Sequence, residues 1–478
     1  MEVKKSVVNS LFWAFLDQFS SKGISIIASI FLARILAPSD FGLISLVYIF
    51  SAIAQELADG GLGASLIRTK LTTYKDYSTI FFTNVFIALL LYLLCFTLAP
   101  YIAIFYNLPN LNLLIRVYCL IFVINSFSSI HIFVLIKKME FRKIMLLNLP
   151  AILLGTFMAI YLAHLGYGVW SIVAMQLISQ TFFAIFLWIN SNEVRLFFSL
   201  KILKRHYDFG LKIMTIALFT SGFKNITNSV IGKVYSITDL GYYDRSKTLS
   251  AYPSTIFVGI LSKVFYPFFS SINDEKKLKA GYKKVIRISF YFSTYIMCLL
   301  ITVAHLFIEV VLGKQWLPAV PYFQLLCLAA ILTPVNTFNL NILKVKGLSN
   351  LILKIEIINI IIAGFALLTG VFFSIIQLIY CLLLAEIFIF IHNSYKSQKY
   401  HQYKFFNQVL DFLPTIVIAG ISYLSVFYSN KIITFQPNIF SLLLQTVIFS
   451  FTYFILSYFL KNYSFNFLIN IIISKIKK

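Results

Sequence analysis

The chain returns fourteen times in 478 residues to an apolar run of about 20 residues, the length a helix needs to cross ~30 Å of hydrocarbon. The runs fall at 9–36, 41–60, 77–99, 112–136, 144–164, 168–190, 208–235, 240–270, 286–312, 319–343, 351–370, 372–392, 409–428 and 439–460. Strands of a porin would alternate apolar and polar residues over ~10-residue segments, and these runs do not. The expected fold is therefore an all-α polytopic membrane protein with about 14 transmembrane helices. Composition agrees: 12% of residues are charged, against about 25% in a soluble domain. The first run follows Lys4-Lys5 but carries Asp17 and Lys22, so it is too long and too polar for a cleaved signal segment.

The same chain has a net charge of +23, from 40 Lys and Arg against 17 Asp and Glu. Placement of these bases tests the span series through the positive-inside rule. With the N-terminus in the cytoplasm and loops assigned alternately, the inside loops and both termini hold 28 bases and the outside loops hold 2, Lys314 and Lys431. Both termini are therefore expected in the cytoplasm. The basic run 276–287 lies at a membrane surface, where anionic headgroups explain it better than nucleic acid does.

The chain also repeats. Leu32-Ala-Arg-Ile-Leu-Ala-Pro-Ser-Asp-Phe-Gly42 joins spans 1 and 2, and Ile231-Gly-Lys-Val-Tyr-Ser-Ile-Thr-Asp-Leu-Gly241 joins spans 7 and 8. Arg34 and Lys233, Asp40 and Asp239, and Gly42 and Gly241 are each 199 residues apart. Six spans per unit is an even number, so both units enter the membrane from one side as a parallel repeat. The expected organisation is an N-lobe of TM1–6 (1–192), a pseudo-symmetric C-lobe of TM7–12 (206–393), and TM13–14 with a basic tail (408–478).

Ten bases remain within or beside spans, and six of them belong to spans 7 and 8: Lys212, Lys224, Lys233, Arg245, Lys247 and Lys263. A Lys or Arg at the bilayer centre costs about 3 kcal/mol even on the mildest scale, so a water-filled cavity is the expected environment. Helical phase gathers the polar residues into stripes. Span 1 carries Gln18, Ser21, Lys22, Ser25 and Ser29. Span 7 carries Thr220, Ser221, Lys224 and Asn228, and span 8 carries Arg245, Thr248, Tyr252, Gly259 and Lys263. Span 2 adds Gln55, Glu56 and Asp59. A packed bundle of interhelical hydrogen bonds is the alternative reading of the same stripes. Read as a cavity, the bases form a ladder across the membrane suited to an anionic cargo. Pro253, Pro334, Gly210 and Gly222 are expected to interrupt spans 8, 10 and 7.

Chemistry of other kinds is not visible. There is no GxxxxGK[ST] loop, HExxH pair or GxSxG elbow. Gly61-Leu-Gly63 reads as a tight turn or a close helix contact rather than a nucleotide site. The five cysteines lie in apolar runs without a CxxC pair and read as core residues. The six histidines lack ligand spacing, and His131 reads as a core residue before it reads as a proton relay. No metal site and no cofactor are expected.

Several of these segments resemble one family. Leu32-Ala-Arg-Ile-Leu with Phe41-Gly-Leu, Asp59-Gly-Gly-Leu-Gly-Ala-Ser-Leu-Ile67, Met139-Glu-Phe-Arg142, Leu240-Gly-Tyr-Tyr-Asp-Arg-Ser-Lys-Thr-Leu249, Pro253 and Val264-Phe-Tyr-Pro-Phe268 resemble the polysaccharide-transporter flippases. These belong to the multidrug/oligosaccharidyl-lipid/polysaccharide exporter superfamily, and the chain is similar to the lipopolysaccharide-biosynthesis, colanic-acid-exporter branch. The resemblance implies movement of an undecaprenyl-diphosphate-linked oligosaccharide from the inner to the outer leaflet of the bacterial cytoplasmic membrane. It implies cavity roles for Arg245, Lys247 and Lys224. It also implies membrane lipids, a polysaccharide polymerase and chain-length machinery as partners. Asp17, Glu56 and Asp59 are the candidates for coupling to a proton or sodium gradient; Gln55 sits where some relatives carry an acid. The same-fold rival, a drug/cation antiporter, calls for acids in the cavity. A membrane glycan polymerase or ligase calls for a catalytic outer loop.

Overall fold

The computed structural model describes residues 2–69, 72–191, 193–270, 272, 274–432 and 438–476, and among them every regular element is a helix. The first half contains α1 (Glu2–Ile35), α2 (Pro38–Asp59), α3 (Leu62–Arg68), α4 (Tyr74–Tyr106), α5 (Pro109–Tyr118), α6 (Leu120–Lys137), α7 (Phe141–His164), α8 (Val169–Ile189) and α9 (Leu200–Val234). The second contains α10 (Ile237–Ser270), α11 (Glu275–Thr302), α12 (Ala304–Val311), a 3-10 turn (Lys314–Ala319), α13 (Val320–Ala330), α14 (Thr333–Val345), α15 (Ser349–Gly370), α16 (Ile375–His401), α17 (Phe405–Ile432), α18 (Ile439–Phe459) and α19 (Tyr463–Ile476).

Eleven segments among the described residues are long and apolar enough to cross a membrane. Spans 1, 7 and 8 of the sequence are α1, α9 and α10, of 34, 35 and 34 residues. They are long enough to cross but carry the polar and basic residues noted above. The packing is that of a protein in oil. Large apolar side chains such as Phe86, Phe157, Leu368 and Phe451 are exposed, while Ser78, Thr79, Asn84, Ser128, Ser394 and Ser397 are buried. Backbone polarity is satisfied inside each helix, which leaves these buried hydroxyls and amides free to link helices.

By packing, the chain divides between Gly241 and Tyr242. Span 7 lies in the first of these units because α9 packs on α2, α3 and α4. The sequence repeat instead opens a new lobe at 206, so kinship and packing divide the chain at different points. In the second unit α17 and α18 pack on α11, around Tyr291, Ile418, Val426, Phe449 and Tyr453.

The repeated motif has a physical purpose in the first unit. Asp40 closes the start of α2 by accepting the Ala37 N–H at 3.1 Å. Asp239 does the same for α10 by accepting from the Ser236 hydroxyl at 2.7 Å. The two helix starts then touch through the repeated glycines. A Cβ on Gly42 would stand 1.9 Å from the Ile237 carbonyl oxygen, and one on Gly241 would stand 2.0 Å from that of Pro38. Pro38 and Ile237 are themselves 199 residues apart, so the contact is locally two-fold.

Gly61-Leu-Gly63 is a turn and a packing site. Gly60 and Gly61 take φ of 55° and 64° between α2 and α3, a region that glycine enters at little cost. A Cβ on Gly61 would lie 2.2 Å from the Gly210 carbonyl oxygen of α9. The expected breaks are corrected in two places. α10 runs unbroken through Pro253. Pro334 opens α14 rather than kinking a helix, since a first-turn residue needs no N–H.

Candidate functional site

The polar stripes sort by what their side chains touch. On α1 Gln18, Lys22 and Ser25 are exposed, and the Ser25 hydroxyl donates to the Ser21 carbonyl at 2.8 Å. Asp17 is half-buried and accepts from Ser21 at 3.4 Å, and Ser21 accepts from Asn148 of α7 at 3.2 Å. The stripe thus has a bonded edge against α7 and an edge that the protein leaves uncovered. On α2 Gln55 accepts from Asn125 of α6 at 2.9 Å, and Glu56 is half-buried. The side chains of Asp59, Lys212, Thr220, Lys224 and Lys263 lie outside the described residues.

Asn228 of α9 is buried and donates to the Ser45 hydroxyl of α2 at 2.9 Å, so it ties two helices. Lys233, at the end of α9, is exposed and donates to the Phe105 carbonyl, with its ammonium 4.4 Å from the Phe105 ring centre. On α10 the ammonium of Lys247 lies 5.6 Å from the ring centre of buried Tyr243, Arg245 is buried, and Tyr252 is half-buried. A different face of α10 is bonded to its neighbours. Tyr242 donates to the Gln315 carbonyl at 3.2 Å, Ser246 to that of Ala319 at 3.3 Å and Ser254 to that of Ala330 at 3.3 Å. That face is held, and the stripe of Arg245 and Tyr252 lies roughly a third of a turn around the helix from it.

Residues 31–321 match the model of the polysaccharide biosynthesis protein family. The chain belongs to that family. It is 25% identical over 342 residues to the succinoglycan biosynthesis transport protein ExoT of Rhizobium meliloti (strain 1021), covering 70% of this chain and 68% of the relative. It is 23% identical over 340 residues to the lipopolysaccharide biosynthesis protein WzxC of Escherichia coli (strain K12), covering 70% and 69%. Its fold matches that of the lipid II flippase MurJ in an inward closed conformation with a TM-score of 0.72, over 94% of this chain and 99% of that one, at 16% identity. The chain is a multi-pass protein of the bacterial inner membrane.

In this polysaccharide biosynthesis protein a further set of polar residues was not legible as a site in the sequence. It lies where the charge count places the cytoplasm. In the first unit Asp76, at the start of α4, accepts the Thr73 N–H at 2.8 Å and the Thr73 hydroxyl at 2.9 Å through one oxygen. Its other oxygen takes the Arg205 guanidinium and, at 3.4 Å, Nε2 of fully buried His206. Nδ1 of His206 lies 2.8 Å from the Ser65 hydroxyl. A neutral ring satisfies both contacts when its proton is on Nε2, donating to Asp76, while Nδ1 accepts from Ser65. Lys137 caps the end of α3, donating to the Thr69 carbonyl at 2.6 Å and the Thr72 hydroxyl at 2.6 Å.

The second unit has its own fastening. Asp411 of α17 pairs with Lys283 at 2.8 Å and Arg287 at 3.4 Å, both on α11, and accepts from the Tyr403 hydroxyl. Buried His401 stacks on Tyr282 with ring centres 4.0 Å apart and accepts the Tyr403 N–H at 3.1 Å. His131, weighed above as a relay, is buried against Trp188 and bonds Ser191 at 2.7 Å through Nδ1.

Proposed function

We propose that the protein is a flippase for an undecaprenyl-diphosphate-linked oligosaccharide, an O-antigen, capsule or exopolysaccharide repeat unit. It carries this cargo from the inner to the outer leaflet by alternating access. In this reading α1, α9 and α10 also cross the bilayer, which makes fourteen spans with both termini in the cytoplasm. The observation that carries the proposal is where charge was allowed into the membrane: six bases on two helices, in a chain whose relatives are named for transport and polysaccharide biosynthesis. Lys212, Lys224, Lys233, Arg245, Lys247 and Lys263 would offer a diphosphate successive partners across the membrane. Gln18, Lys22, Ser25, Thr220, Asn228 and Tyr252 would supply hydrogen bonds to the glycan, and the lipid tail would stay in the bilayer. A proton or sodium gradient would drive the cycle, with Asp17, Glu56 and Asp59 as candidate sites. A polymerase and chain-length machinery would receive the product. The sign of the charge argues against a drug/cation antiporter, whose cargo these bases would repel.

Export complementation with defined lipid-linked glycans tests the proposal. The combined substitutions Lys224→Ala, Arg245→Ala and Lys263→Ala should reduce export by about 100-fold at normal protein level, as expected when about 3 kcal/mol of charge-assisted binding is lost. Unchanged export would sink the ladder.

A further inference from the structure

Glu386 is an acid that the apolar run of span 12 conceals. It is the twelfth residue of α16, about 16 Å from the start of that helix and so close to the middle of the hydrocarbon. It shares a helical stripe with buried Phe390, Asn393 and Ser397, which directs it towards the interior of the second unit rather than to lipid. Among the described residues it makes no hydrogen bond and no ion pair. The helices packed on α16 are α13, α14 and α15, with α11 and α17 touching it less. α13 carries no charge, only Tyr322 and Cys327 as titratable groups. Lys344 of α14, Lys354 and Glu356 of α15, the basic residues of α11 and Asp411 of α17 do not bear on Glu386 electrostatically. Its field does reach Tyr243 of α10, the residue whose ring carries the Lys247 ammonium.

An ionised carboxylate without a partner is unfavourable at that depth, so an acid so placed is neutral until a cation approaches it. The nearest set of cations along this connection is Lys247 with Arg245, the pair assigned above to the diphosphate. We propose that Glu386 is a proton-binding site that competes with the anionic cargo for the α10 cations. Protonated, it leaves them to the diphosphate; having released its proton to water, it becomes their counter-ion. Proton and cargo then favour each other's binding by the same factor. The proposal rests on the flippase reading, and it places the coupling acid in the second unit, apart from Asp17, Glu56 and Asp59.

The test measures binding of undecaprenyl diphosphate to the purified full-length protein at about pH 5.5 and about pH 8.5, on either side of the range an engaged carboxylate would span. Wild type should bind about 10-fold more tightly at the lower pH. Glu386→Gln, which imitates the protonated acid, should bind tightly at both, with the pH effect reduced to about 2-fold, and Glu386→Asp should keep most of it. A Glu386→Gln protein with the wild-type pH dependence overturns the proposal while leaving the flippase reading intact. No binding by wild type at either pH overturns both. Should Glu386→Gln not fold, wild type alone decides in weakly buffered solution near pH 7.5: adding undecaprenyl diphosphate should draw up about one proton per protein, and no uptake overturns the proposal.

Discussion

The two ends of the helices are held by different physics. At one end two copies of a motif meet, Gly42 against the Ile237 carbonyl and Gly241 against that of Pro38. Both copies use the same residue in the same way. At the other end each unit has an ionic fastening, and the charges are exchanged. The first unit puts the acid, Asp76, on α4 and the bases, Arg205 and His206, on α9. The second puts the bases, Lys283 and Arg287, on α11 and the acid, Asp411, on α17. In the repeat α4 corresponds to α11 and α9 to α17, so the helices match while the signs do not. A backbone contact this close has one solution, a residue without Cβ. An ion pair has two equivalent solutions, and each copy has taken a different one.

Substitution of the glycines should have the largest effect. Gly42→Ala must move the start of α10 away by more than 1 Å to bring a 1.9 Å approach to ordinary contact. That places it at the top of the overpacking range, about 3 kcal/mol, read as a fall in the thermal midpoint of the purified protein. Gly241→Ala should cost the same because its geometry is the same. The double variant should cost clearly less than the sum, since one separation relieves both clashes. Full additivity would show that the two glycines do not share a contact.

Next comes Asp76→Asn, at about 2 kcal/mol. Asp76 accepts from four donors on its two oxygens. An amide replaces one of those acceptors with a donor, and fully buried His206 cannot turn to water for another. The same measurement of thermal midpoint checks it. A loss no greater than that of an exposed surface pair would mean that His206 finds another partner.

The contrast between the ends also explains what the sequence could disclose. The glycine joint was visible as a repeat at a fixed offset, because sterics wrote the same letters twice. Span edges were visible too: 439–460 against Ile439–Phe459 for α18, and 351–370 against Ser349–Gly370 for α15. α9 begins eight residues before its apolar run because Leu200–Tyr207 is a basic, amphipathic extension that hydropathy does not register as helix. The ionic fastenings were hidden because Asp76 and Arg205 lie 129 residues apart and either sign could occupy either helix. Among the candidate site residues, periodicity placed Asn228 on a polar stripe but could not distinguish an open face from the Ser45 bond it makes. Glu386 escaped notice for a simpler reason: one acid among leucines and phenylalanines leaves an apolar run an apolar run.

The smallest expected effect separates the two fastenings. Asp411→Asn should cost about 1 kcal/mol, half the loss at Asp76, because its partners have alternatives. The side chains of Lys283 and Arg287 are 38% and 20% exposed and reach water when the carboxylate is neutralised. The Tyr403 hydroxyl can turn to the Asn407 carbonyl, already 3.4 Å away. Salt sharpens the distinction: raising ionic strength should shrink the Asp411 effect, since an accessible pair is screened, and leave most of the Asp76 effect, which is an unmet hydrogen bond around a buried ring. Equal losses with equal salt dependence would show that access to water does not set the cost, and that exchanging the charges between the two copies was neutral in energy as well as in form.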